Sequence, residues 1–380
     1  MSVLIPITEF GQYILISFLT GYFLLDLIPE KKKPRILVPK KLVQLCVVGT
    51  VFISFIPLLN IIFIFKDSYG LLGAASASLI ETQAGRSWIF LTIWALLLWL
   101  NVYFNWSKIY RLQLLMLMVF AIANGSHVAS LSKYGIYSHS AHFILVAVWV
   151  GVLLIVGWFS EDSENWREFL NWFTVLAIGC LAAISVTGFF LMDLVMADIR
   201  YVESWAIPYG RMLLLKHLSI IPVLAFALIN GVLSRKLVKN HAFDPRKWIR
   251  AECLLLMLVF YCTGVMGTLS PPHVAVMNNT PGNSITWVDW LFMKTEFPQT
   301  IIGLSPTISS ISLIGCSLLF ICFILISFKK MNRAFAVALA CFSIVTFYLG
   351  FMLSVDIGGD RVKSNPVQTG SKQEIVNYSP

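Results

Sequence analysis

The chain has 380 residues, of which 58% are hydrophobic and only 12% are charged, about half the charged share of an ordinary soluble domain. This composition excludes a disordered chain, a disulfide scaffold and a water-soluble enzyme. It predicts an all-α fold, a polytopic bundle of transmembrane helices. The formal net charge of +9 would suggest nucleic acid binding in a soluble protein, so the placement of the basic residues has to be tested first.

Ten stretches of the sequence are long and apolar enough to cross a hydrocarbon core about 30 Å thick. Their approximate limits, in chain order, are 7–28, 42–65, 86–105, 112–130, 140–159, 169–196, 208–234, 249–269, 307–328 and 334–355. The runs are too long for the strands of a membrane β-barrel and do not alternate between polar and apolar residues. We therefore predict about ten helical spans that contact the lipid bilayer.

Lysine and arginine gather in the loops that follow the odd-numbered spans, above all in segments 31–41 and 235–250. Cytoplasmic loops carry such an excess of basic residues, so these loops are predicted to be cytoplasmic and both termini extracytoplasmic. The net charge is then mainly a topology signal, and no nucleic acid partner is expected. The sequence predicts a multi-pass protein of a bacterial plasma membrane.

The order of spans, loops and tail suggests four regions. Residues 1–110 form an N-terminal three-helix membrane segment, and residues 111–270 form a helical core whose outer loop continues to 306. Residues 307–355 form a C-terminal two-helix segment. Residues 356–380 are polar and are expected to be disordered.

Lys216 and Asp193 are two of the charged residues within predicted spans, where a charge costs roughly 2.5–3.5 kcal/mol on insertion scales. Lys216 lies about nine residues into the seventh span, and Asp193 lies near the outer end of the sixth. The two residues could form a structural ion pair, or Lys216 could bond helix carbonyls. The functional alternative is a positive charge that controls cation passage or neutralises a bound anion.

Four of the six histidines lie toward the predicted outer side, namely His127, His139, His142 and His273, with His217 deeper in the membrane. His139 and His142 are three residues apart and share one face of a helix. Imidazole is a suitable ligand for copper, zinc, nickel or haem iron. The pattern predicts a metal site, provided that the helices carrying these residues are neighbours.

Methionine adds a second type of candidate ligand. Met192 and Met196 are one helical turn apart, on either side of Asp193, near the outer end of the sixth span. A thioether favours monovalent copper over zinc or iron. The alternative is that these methionines only fill space between helices.

Four motifs follow one another in spans four to eight. They are a Gly125-Ser126-His127 helix end, a helix from His142 to Trp149 and Gly151, a Tyr209-Gly210…Lys216 helix continuing to Asn230, and a Pro271-Pro272 helix end. In order and spacing these motifs resemble the CopD family of copper-resistance and copper-uptake membrane proteins. Ser126 splits the Gly-His pair of that family, and His139 and His273 are additional to its motifs.

The resemblance implies a membrane protein that handles copper, with functional roles at Trp149 and Lys216 and a separate extracytoplasmic partner resembling the copper-binding protein CopC. We expect copper to be captured at the outer face by His127, His139 and His142, with His273 and Met192 as additional ligands, and to pass inward for import or resistance. The protein is not expected to be an enzyme. Two alternatives stay open: a haem b-binding redox protein, and a membrane copper chaperone that does not transport the metal.

Overall fold

The computed structural model describes residues 4–126, 129, 132–162, 164–196, 199–233, 244–272, 302–330 and 332–357. Within them the chain forms ten helices of 17 residues or more: α1 (Leu4–Leu27), α2 (Lys40–Ile80), α3 (Gln83–Phe104), α4 (Lys108–Asn124), α5 (Lys133–Phe159), α6 (Trp166–Met196), α7 (Pro208–Leu228), α8 (Arg246–Met266), α9 (Ile308–Lys329) and α10 (Arg333–Met352). Two short strands, β1 (Ile302–Leu304) and β2 (Val355–Ile357), pair antiparallel.

Nine of these helices are long and apolar enough to cross a membrane, and the tenth, α4, has 17 residues. The prediction of an all-α, multi-pass membrane protein is therefore confirmed. The orientation of the termini stays a prediction, as does the division into four regions. The end of the bundle at which α5 begins and α6 ends is called the histidine end, and the opposite end the basic end.

Two helices extend well beyond the limits predicted from hydropathy. Helix α2 continues to Ile80, with a break at Gly70, whose φ of 68° lies in the left-handed region that glycine adopts without strain. Helix α5 begins at Lys133 rather than at residue 140, because the Ser132 side chain accepts a hydrogen bond from the Tyr134 backbone and caps the helix. His139 and His142 are therefore inside α5.

Helix α7 begins with Pro208 at its first turn, a position where the missing N–H is not needed. At its other end the chain continues as a π-helical turn over Ile229–Leu233. Such a turn inserts an extra residue into the helical repeat and is frequent at functional sites.

Helix α1 packs against α2, α4, α5 and α8 and lies inside the bundle. It crosses α5 where Gly21 meets Gly151, and a Cβ atom added to Gly151 would lie only 2.0 Å from the Ser17 carbonyl oxygen. Small residues at such a crossing let two membrane helices approach backbone to backbone. The glycine of the Trp149-x-Gly151 motif thus fixes the position of α5 against α1.

The hairpin of α9 and α10 packs on α7, where Leu214 and Leu218 meet Phe347 and Met352. Helix α7 is thereby held between α8 on one side and this hairpin on the other. Its partners on the remaining side are the 3₁₀ turn Glu203–Ala206 and, through the π turn, helix α6.

Candidate functional site

The two described histidines of α5 both contact hydroxyl groups on neighbouring segments. The Nδ1 atom of His142 lies 3.0 Å from Thr187 Oγ1 on α6, and the Nδ1 atom of His139 lies 3.0 Å from Ser126 Oγ, just after α4. Both side chains are half-buried. Three consecutive helices, α4 to α6, therefore meet at these rings.

The hydroxyls determine which ring nitrogen carries the hydrogen. Thr187 Oγ1 lies 2.9 Å from the Ala183 carbonyl and Ser126 Oγ lies 2.7 Å from the Ala123 carbonyl, so each hydroxyl donates to its own helix. With that donation kept, each hydroxyl accepts the hydrogen bond from Nδ1–H of its histidine. The lone pair of each imidazole is left on Nε2, the atom that can bind a metal.

His142 is also enclosed by the backbone of α6. A Cβ atom added to Gly188 would lie 3.4 Å from His142 Cε1, so the ring rests on this glycine beside its hydrogen bond to Thr187. His142 follows the first residue of α5 by nine positions, or about 13 Å along the helix axis. It therefore lies well inside the bundle rather than at its outer surface.

Lys216 occupies a similar depth on α7, eight residues after Pro208. Its ammonium group is close enough for electrostatic interaction with both His142 on α5 and Cys262 on α8. When it is protonated, Lys216 gives the candidate site a positive neighbour on the side facing α7 and α8.

His217, next to Lys216, contacts a different partner. Its Nδ1 atom lies 2.8 Å from the hydroxyl of Tyr201, in the segment between α6 and α7. Burial raises the pKa of the Tyr201 hydroxyl, which therefore keeps its proton. In the same segment, hydrogen bonding from Arg200 lowers the pKa of the Glu203 carboxyl.

The ion pair considered between Lys216 and Asp193 is not formed. The salt bridges among the described residues join other charges, and Asp193 is exposed on α6. Helix α6 turns this carboxylate to the outside of the bundle, away from Lys216. The interpretation of Lys216 as a structural ion pair with Asp193 is thus wrong, whereas bonding to helix carbonyls and a functional charge stay predictions.

Three methionines meet at the histidine end. Met192 and Met196 of α6 and Met266 of α8 lie in one apolar cluster together with Tyr209 and Leu213 of α7. The cluster places three thioethers on two helices that flank α7. It fits a packing role, and it also gathers the side chains that a monovalent copper ion prefers.

Comparison with known families supplies the next observation. Residues 167–266 match the CopD family, described as copper resistance protein D. The resemblance to the CopD family is confirmed over this segment. The segment, hereafter the CopD segment, covers α6, α7 and α8, and a comparison with curated proteins and with solved structures found no match.

The CopD segment contains Thr187, Met192 and Lys216, whereas the two histidines of α5 precede it. His127 and His273, the other two predicted ligands, lie outside the described residues. Among the residues that the structure does describe, no three His, Cys, Asp or Glu side chains form a group that could hold a metal ion. The structure thus brings Lys216 to His142, while the full ligand set stays a prediction.

Trp149 does not lie beside the histidines. It is 6% exposed and, seven residues beyond His142, it lines a cavity toward the basic end of the bundle. The same cavity contains Glu252 and Asn230, two buried polar residues of the CopD segment.

Glu252 was not predicted as a site residue, because a helix predicted to begin at residue 249 places it almost at the membrane surface. The helix begins at Arg246, and Glu252 is only 1% exposed. An acidic residue within an apolar stretch was the available signal.

Proposed function

We propose that the protein binds copper at the histidine end and carries it across or along the membrane, in copper uptake or copper resistance. The CopD match over residues 167–266 is the observation that carries this proposal. The nine helices long and apolar enough to span a membrane support an integral membrane location. Copper is the substrate of this activity rather than a resident cofactor.

The proposed first ligands are the Nε2 atoms of His142 and His139. Two features support them: each ring is oriented by a hydroxyl on a neighbouring segment, and each lone pair is on Nε2. Hydrogen-bonded orientation of this kind is typical of metal-binding histidines. His127, His273 and Met192 are proposed as additional ligands, since the sequence predicts them on the same, outer side of the membrane as His139 and His142.

Lys216 is proposed to limit how much positive charge the site can hold. Its electrostatic interaction with His142 supports this role. A copper ion that binds near a fixed ammonium group is less favoured than in a neutral surrounding, so occupancy by a second cation is opposed. Passage inward along α7 and α8 would then depend on the position of the Lys216 side chain.

The test is copper content per protein. We expect the purified wild-type protein, incubated with copper and desalted, to retain the metal, and a His127→Ala/His142→Ala variant to lose most of it because imidazole ligands are removed. His241→Ala, in a predicted cytoplasmic loop, is the matched control and should retain the wild-type content. Equal copper content in the double variant and the wild type would overturn the proposed ligands.

Two further measurements separate the alternatives. Copper flux into proteoliposomes is expected for a transporter, whereas a chaperone would bind copper without moving it into the vesicle. The absorption spectrum of the purified protein tests the redox alternative, since bound haem b would give a strong Soret band.

A further inference from the structure

A second site lies toward the basic end, away from the histidines. A cavity of about 220 Å³ opens between α5, α6, α7 and α8. Its walls are almost entirely apolar, including Trp149 and Leu153 of α5 and Phe173 of α6, and its polar side chains are Thr174, Asn230 and Glu252. Along α5, Trp149 follows His142 by about 10 Å of helix.

Asn230 and Glu252 form a buried pair at the wall of this cavity. The amide Nδ2 of Asn230 donates to Glu252 Oε2 at 2.7 Å, and the two residues are 5% and 1% exposed. Glu252 takes part in none of the salt bridges among the described residues. One hydrogen bond is much less than a buried carboxyl and a buried amide can make together.

The unfilled hydrogen-bonding capacity includes a buried acceptor. In the described part of the chain the Asn230 Oδ1 atom is buried without a hydrogen-bond partner. The Thr174 hydroxyl cannot supply the missing donor, because it lies 2.6 Å from the Leu170 carbonyl and 3.2 Å from the Gly231 carbonyl. A buried acceptor left unpaired costs roughly 1–3 kcal/mol, so a ligand that donates a hydrogen bond here would be stabilised.

The π-helical turn supports a site rather than a packing defect. The turn over Ile229–Leu233 carries Asn230 and brings Gly231 against Thr174, where an added Cβ would lie 3.1 Å from the threonine Cγ2. This irregular turn thus fixes the amide of Asn230 beside Glu252 and the cavity. Turns of this type are often retained at binding sites.

The size and position of the cavity limit the kinds of molecule that could bind in it. A dry apolar cavity of about 150 Å³ holds benzene, so 220 Å³ has room for a ring with substituents. Ile178, Leu224 and Leu228 line the cavity and are exposed on the outside of the bundle, which gives access from the lipid phase. Apolar walls do not suit a hydrated cation, and an acyl chain has no hydrogen to donate.

We propose that the cavity between α5, α6, α7 and α8 binds a lipid-soluble phenol or quinol ring, whose hydroxyl donates a hydrogen bond to the Asn230–Glu252 pair. The ring lies against Trp149 and Phe173, and its substituents extend past Leu224 toward the lipid. This site does not depend on copper binding at the histidine end.

The experiment uses the purified full-length protein in detergent and ¹⁹F NMR, which separates bound probe from probe in micelles. The probe is 4-(trifluoromethyl)phenol, and the reference is 4-(trifluoromethyl)anisole, which has nearly the same shape but no hydroxyl hydrogen. We expect a bound resonance for the phenol and at least about tenfold weaker binding of the anisole, because the buried acceptors receive no donor. Equal binding of the two compounds would overturn the proposal.

Two variants locate the site. Ala177→Phe on α6 places a ring in the cavity and should abolish the bound resonance, while Ala182→Phe, on the exposed face of the same helix and outside the cavity, should retain it. Ala227→Phe on α7 repeats the test from the opposite wall if the first variant does not fold. A bound resonance that persists in a folded cavity-filling variant contradicts the assignment.

A competition measurement separates the two sources of the ring. Displacement of the fluorinated phenol by a reduced short-chain quinone identifies a quinol as the membrane ligand. Binding of the phenol without displacement by the quinol identifies a smaller phenol. In Asn230→Leu, phenol binding should fall to the level of the anisole.

Discussion

At the histidine end of the bundle, His139 and His142 are held by hydroxyls of neighbouring segments, whereas toward the basic end Asn230 and Glu252 bond only each other and face a cavity. Both pairs lie among α5 to α8 or at their edge. The histidines have their Nδ1 atoms satisfied, which directs their lone pairs. The Asn230 amide oxygen is a buried acceptor that no described residue satisfies.

The difference indicates two kinds of ligand. Side chains whose orientation is fixed by hydrogen bonds are prepared to share lone pairs with a metal ion. Acceptors in an apolar cavity instead require a molecule that brings its own hydrogen and covers the apolar walls. One membrane bundle therefore presents a polar, oriented site at one depth and an apolar, incomplete site at another.

The largest effect on stability and on binding is expected at a position of α5 that supports both the histidine site and the cavity. Gly151 lies on α5 between the cavity-lining residues Trp149 and Leu153, on the same helix as His142, and its Cα faces the Ser17 carbonyl of α1. We expect Gly151→Leu to force α1 and α5 apart, to cost about 3 kcal/mol or more, and to reduce copper content and phenol binding together. Thermal unfolding, copper content and ¹⁹F NMR measure the three consequences.

Gly179→Leu on α6 is the matched control for this change. A Cβ at Gly179 meets no atom within 4 Å, and the residue is exposed. The control should unfold at the wild-type temperature. If Gly151→Leu behaves like Gly179→Leu, the glycine crossing does not position α5.

A smaller effect is expected from the hydroxyl that orients His142. Thr187→Val keeps the shape of the side chain but removes the acceptor for His142 Nδ1–H. Loss of such an orienting bond typically weakens metal binding by about 10- to 100-fold, and phenol binding should not change. Copper titration of the purified protein measures the affinity, with Ser185→Ala, an exposed hydroxyl of the same helix, as the control. An unchanged copper affinity in Thr187→Val would contradict the role of this hydroxyl in orienting His142 for the metal.

Much of the architecture follows from sequence, because hydrophobic length and basic loops are properties of single segments. The ten predicted spans coincide with the ten helices. The CopD resemblance was predicted from motifs in spans four to eight and is confirmed over residues 167–266. The predicted limits were wrong at some helix ends. Residues 133–139 are too polar to be included by hydropathy, although the Ser132 cap starts the helix there.

The contacts between helices could not be predicted in this way. Nothing local in the sequence tells that Thr187 accepts from His142, or that Asn230 donates to Glu252, since each pair is more than 20 residues apart. The rotation of α6 about its axis also determines that Asp193 is exposed instead of paired with Lys216. Such outcomes depend on helix rotation in the bundle, which composition does not determine.

The independence of the two sites gives a third prediction. Changes at distant sites without shared partners usually have additive effects, within about 0.5 kcal/mol. We therefore expect Ala177→Phe to abolish phenol binding with no more than about a twofold change in copper affinity, and His142→Ala to do the reverse. The double variant should combine both losses. Copper affinity that falls tenfold when the cavity is filled would reveal one coupled site instead of two.

The smallest expected effect concerns the pH dependence of copper binding, which can distinguish the histidines of α5 from the Glu203 carboxyl. Protons compete with copper for imidazole nitrogen, so copper affinity should fall as the pH is lowered. The Glu203 carboxylate, whose pKa is lowered by Arg200, stabilises the folded state above the ordinary carboxyl pKa, and this contribution is lost only as the pH falls further, below about 4. Glu203→Gln should therefore leave the pH dependence of copper binding unchanged between pH 5 and 8. If the variant shifts that curve, the protons that compete with copper are bound at the segment between α6 and α7 and not at the histidines of α5.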